Sequence, residues 1–108
     1  MAPELNSTND IIARRELNGV PLSGEKFQII IEIGKPYTEE NQNWRCPVTV
    51  QPLSKRTYHI NGSDSFQALT LAISFAHEEL ADFVKSGGKL FFRDSDEEFN
   101  LNEPFEKQ

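Results

Sequence analysis

Asn61-Gly62-Ser63-Asp64-Ser65-Phe66-Gln67-Ala68-Leu69 is a turn that runs directly into a helix start, and that start decides the fold. The Asp64 carboxylate can accept from the backbone N–H of Gln67. The Gln67 side chain can reach back to the N–H of Asp64, which completes the reciprocal pair of a capping box. The helix is predicted to continue to about Lys85, a residue suited to the negative end of the dipole, before Ser86-Gly87-Gly88 offers a left-handed glycine to stop it. Within it, Phe66, Leu69, Ile73, Leu80 and Val84 share one stripe at helical spacing, with Ala76 and Phe83 at its margin. That stripe is predicted to cover a sheet, so an aspartate at Ile73 is expected to unfold the domain.

The sheet is read outward from the helix. Phe27-Gln28-Ile29-Ile30-Ile31-Glu32-Ile33 puts Phe27, Ile29, Ile31 and Ile33 on one face at period two and is predicted to be a central strand. Trp44 to Val50 is a second strand, with Trp44, Cys46, Val48 and Val50 inward. Pro47 lies on its outward set, where the missing N–H calls for an edge or a bulge. Thr57 to Ile60 is a short strand reached through the Pro52-to-Lys55 turn. Ile11 to Leu17 can alternate as a strand, with Ile11, Ala13 and Leu17 on one side. Asn18-Gly19, Pro21 and Ser23-Gly24 then signal a hairpin. Gly34 to Asn43 reads as a polar loop, and Lys89-Leu90-Phe91-Phe92-Arg93 as a further short apolar run.

The formal charge of −6 is unevenly placed. Asp94, Asp96, Glu97, Glu98, Glu103 and Glu106 stand against Lys107 alone in the last segment, while the rest of the chain is nearly balanced. Such an end repels phosphate backbones, and no basic stripe with interleaved aromatics offsets it, so nucleic-acid binding is not expected. A basic protein partner would be attracted. Cys46 is the single cysteine and cannot form an intramolecular bridge; no apolar run approaches the roughly 18 residues of a membrane span, and Met1 to Leu5 do not resemble a signal peptide. The expected compartment is the cytoplasm.

Signals for chemistry are sparse. His77 falls near the centre of the predicted apolar stripe and, with His59 and Cys46, could approach a common point across a helix–sheet interface, but the three share no metal-ligand spacing. Cys46 reads as a small buried hydrophobe. Asp94 to Glu98 lack the glycine and the closing carboxylate of a calcium loop. Glu78 and Glu79 are adjacent and diverge by about 100° on a helix. No nucleophile has a base at a recognisable spacing, so no enzyme, no cofactor and no catalytic residue is expected. On the helical wheel Leu71 and Phe75 lie opposite the stripe, to be covered either by the apolar residues after Lys89 (Phe91, Phe99, Leu101, Phe105) or by another chain.

Asn61 to Ala72, followed by a glycine turn and Leu90-Phe91-Phe92, resembles the core of a family of small bacterial proteins of unknown function. In that family a glycine-aspartate turn opens a Q-A-L-x-L-A helix behind a small antiparallel sheet. The resemblance spans about residues 26–92 and brings no catalytic residue. It implies a compact accessory protein, of a kind often found as an immunity or adaptor partner encoded beside a toxin.

These readings converge on an α+β domain, an antiparallel sheet of four or five strands with one long helix packed on one face. Residues 1–10 would be a flexible leader, 11–93 the domain and 94–108 an acidic C-terminal segment. The expected function is a non-catalytic protein-interaction module, an immunity-type inhibitor of a basic bacterial partner that contacts it through Leu71, Phe75, Asp94, Asp96, Glu97 and Glu98. The alternatives are a structural homodimer through the helix back and, third, a small metal or ligand site at His59 and His77.

Overall fold

The computed structural model describes residues 10–40 and 43–101; residues 1–9 of the expected leader, Glu103, Phe105 and Glu106 lie outside them. The chain runs β1 (Ile11–Val20), β2 (Phe27–Gly34), β3 (Tyr37–Thr38), β4 (Trp44–Gln51), β5 (Tyr58–Gly62), α1 (Ser65–Lys85) and β6 (Lys89–Phe92). The strands form one six-stranded sheet in the order β3-β4-β2-β1-β6, with β5 on β4, and every pairing is antiparallel. The fold is therefore α+β, with more strands than the sequence suggested. The additional strand is β3, hidden in a polar loop because Gly34-Lys35-Pro36 interrupts β2 before the chain rejoins β4 at Tyr37↔Arg45. Pro47 sits opposite this break: β2 leaves β4 after Ile33↔Val48, and β3 takes over at Arg45.

β1 overruns its turn signal. Asn18 and Gly19 stay in the strand because β6 pairs with Leu17 to Val20 and holds them extended. The reversal comes at Pro21 to Gly24, closed by the Gly24 N–H to the Pro21 carbonyl at 2.8 Å. The central strand follows its pattern: Ile29, Ile31 and Ile33 are buried on the helix side with Leu17 of β1, Cys46, Val48 and Val50 of β4, and Leu90 of β6.

Both helix ends are built by the residues that announced them. Asp64 is extended (φ −148°, ψ 177°), and its carboxylate accepts from the Gln67 N–H at 2.7 Å. The Gln67 side chain reaches one residue further back than expected, accepting from the Ser63 N–H at 2.7 Å, because the extended cap brings that amide beneath it. At the other end Gly87 has φ +103°, the Gly87 N–H meets the Val84 carbonyl at 2.9 Å, and the Gly88 N–H meets the Phe83 carbonyl at 3.1 Å. This is a Schellman motif.

The buried face of α1 is not the predicted stripe. Ala68, Ala72, Ala76 and Leu80 are buried against the sheet, whereas Phe66 is 74 % and Ile73 51 % exposed. The contact face is rotated by roughly 70° from the large residues toward the alanine row, since small side chains let the helix backbone approach β4 and β5 closely. Phe75, placed by the sequence on the back of the helix, packs on Tyr58 of β5 with ring centroids 4.8 Å apart. Leu71 is 43 % exposed. Phe99 and Leu101 cross to the opposite flank, beside Ile73 and Leu80. Among the described residues no helix is long and apolar enough to cross a membrane.

Candidate functional site

Because α1 lies chiefly over β4 and β5, the helix-facing residues of β1 and β2 are only partly roofed. The register pairs Ala13 with Ile33 and Arg15 with Ile31, so these four share the face beneath the open flank of the helix. An open groove of about 340 Å³ results, floored by that quartet and walled by Ile73, Ala76, His77 and Leu80. Phe99 and Leu101 close its far end. They are brought there by a hairpin: the Phe92 N–H meets the Glu97 carbonyl at 3.0 Å, and the Phe99 N–H meets the Leu90 carbonyl at 2.8 Å.

The electrostatics of the two sheet faces differ. On the face away from α1, Arg14 binds Glu16 at 2.6 Å and also binds Glu32, and Arg93 reaches Glu16 at 2.5 Å. The hydrogen bond from Arg14 holds the Glu16 carboxyl below its usual range. Toward α1, the Arg15 guanidinium lies 5.1 Å from the centroid of Phe99, a cation–π contact at that same end of the groove. Among the described residues no acidic side chain lines the groove.

The other sequence candidates are dispersed. His59 pairs with Pro47 and so faces away from α1, its Nδ1 2.9 Å from the Tyr37 hydroxyl. His77 is exposed at the groove rim, and Cys46 is fully buried in the core, its thiol donating to the Gly34 carbonyl at 3.4 Å. The three are not brought together, and among the described residues no group of three or more His, Cys, Asp or Glu could hold a metal ion. Asp94, Asp96, Glu97 and Glu98 are exposed on the hairpin turn, where Asp94 has φ 56° and pairs with Arg93 at 3.2 Å. Phe75 is packed into the helix–sheet interface, and Leu71 stands apart from the acidic turn on the helix's other flank.

Burial pushes the Cys46 thiol up to about 11. Raised above its unfolded value, the thiol contributes stability that is fully present below the ordinary thiol range and lost as pH rises toward 11. Native protein should therefore resist thiol reagents at neutral pH, and its melting temperature should fall between about pH 9 and 11 more steeply than that of Cys46→Ala. Parallel melts of the two proteins across that range check the sign.

The groove itself was missed in the sequence. The available signal was Arg15, a charge at the period-two position between Ala13 and Leu17 on the apolar side of β1. A family described as "Domain of unknown function (DUF6968)" matches residues 13–102, a span that takes in both Ala13 and Leu101. No curated protein and no solved structure matches the chain.

Proposed function

We propose a role for a chain that belongs to the DUF6968 family, a domain of unknown function: a non-catalytic protein-interaction module, in form an immunity-type inhibitor of a basic partner. The observation that supports it is the uncovered stripe of α1. Phe66, Ile73 and Val84 are exposed on one side of the helix, and Ile73 is continuous with the apolar groove. Large apolar side chains left exposed in a row along one helix, beside an apolar groove, are a mark of contact with another molecule. The acidic turn from Asp94 to Glu98, anchored by hairpin hydrogen bonds, supplies fixed negative charge for steering a cationic protein. The bacterial setting and the toxin-associated role belong to this proposal.

Capture from the native host with the parent as bait, followed by binding kinetics on the recovered partner, tests it. Ile73→Glu with Phe66→Ser should weaken binding by at least about tenfold. Converting Asp94, Asp96, Glu97 and Glu98 to Asn and Gln should slow association and flatten its salt dependence. A partner that binds all three proteins alike overturns the reading. The same exposed stripe also favours a second reading, a structural homodimer by isologous helix contact. Sedimentation at tens of micromolar decides it: a dimer that Ile73→Glu dissociates supports self-association, and a monomer removes it.

A further inference from the structure

In the groove the charge of the molecule runs against its composition. The chain carries a net −6, yet among the described residues no Asp or Glu lines this hollow, and Arg14, Arg15 and His77 do. Arg14 is committed to Glu16 and Glu32. Among the described residues Arg15 has no carboxylate partner; its guanidinium lies instead over Phe99. A guanidinium stacked on a ring keeps its planar N–H fork for a two-oxygen acceptor. Behind it the surfaces of Ile31, Ile33, Ile73 and Leu80 offer an apolar bed. The 340 Å³ lies at the lower end of small-ligand sites, about 300–1,000 Å³. It holds roughly ten groups of the size of a water molecule, at about 30 Å³ each.

We propose that this groove binds a small amphipathic carboxylate, of the size of a medium-chain acyl or arylalkanoic acid. The carboxylate pairs with Arg15, and the apolar body lies on Ile31, Ile33 and Ile73. A neutral amphiphile of the same length leaves the guanidinium without its acceptor, and a cationic one meets a like charge. The site goes beyond the interaction role: it shares Ile73 with the exposed stripe of α1, but its charged group, Arg15, and its floor, Ile31 and Ile33, lie on the sheet under the flank of the helix.

Octanoate, 1-octanol and octylammonium, each below its aggregation limit, are the probes, added to the full chain and followed by backbone amide NMR. Perturbations should centre on Ile31, Ile33, Ile73 and Phe99. Octanoate should bind at least about tenfold more tightly than octanol, with octylammonium weakest. Arg15→Gln, at an exposed position, should keep the fold and erase the preference for the acid. Ile73→Trp, which fills the groove from its rim, should abolish binding of all three. The proposal is overturned if octanol matches octanoate, if Arg15→Gln retains the preference, if Ile73→Trp binds octanoate as the parent does, or if the perturbations map elsewhere. Concentration-dependent shifts at these residues without any probe would place a second copy in the groove and overturn it equally.

Discussion

Ala72→Asp is expected to abolish cooperative folding, while Ile73→Asp, one residue on, costs about 1 kcal/mol. Ala72 is fully buried between α1 and the sheet, in the same core as Val48 and Val50. A carboxylate there loses its hydration without gaining a cation, a penalty on the order of 4 kcal/mol or more. A domain of this size has about 5–15 kcal/mol of stability in all, so the variant sits at or past the edge of folding. Ile73 is half exposed, and an aspartate there reaches water. Urea denaturation of the pair measures both numbers. Equal losses would mean that α1 does not present its alanine row to the sheet.

Gly62→Ala is the second large effect. A methyl group at this end of β5 would lie 2.3 Å from the Ala68 nitrogen and 2.6 Å from its Cα. These are backbone atoms of the first helical turn, held by the Asp64 and Gln67 capping bonds, so neither strand nor helix can retreat cheaply. A loss of about 3 kcal/mol is expected, at the upper end of overpacking costs. Gly24→Ala provides the control: φ is +88° but nothing lies within 4 Å, which leaves only a conformational cost of about 1 kcal/mol. If the two substitutions prove equally mild in chemical denaturation, the close approach of β5 to α1 is not as described.

What could be read in advance was local. The capping residues Asp64 and Gln67, the period-two isoleucines of β2 and the glycine stop at Gly87 each act within a few residues, and each is found in the fold. The helix face was misread because side-chain size and hydrophobicity favour Phe66, Ile73 and Val84 over alanines. The winning term was distance: Ala68, Ala72 and Ala76 bring two backbones together, and that depends on what lies opposite. Asn18-Gly19 failed as a turn for a similar reason, its preference overridden by pairing with β6. The acidic segment concealed a β-bridge between Phe91 and Glu98, since charge patterning does not register a backbone hydrogen bond. The groove was the least legible part, because its floor comes from β1 and β2 and its end from Phe99 and Leu101.

That wide separation governs when the groove can exist during folding. The β1–β2 hairpin and the β4–β5 pair join residues near in sequence and can form early, whereas β6 must return across most of the domain to meet Leu17 to Val20. Contacts of such high sequence separation carry the largest loop-closure entropy, and folds rich in them fold more slowly. Phe99 and Leu101 are positioned only after that return, through the Phe99 N–H and the Leu90 carbonyl. The concave surface is therefore completed only by the most distant pairing in the topology, and it is lost wherever that pairing is lost.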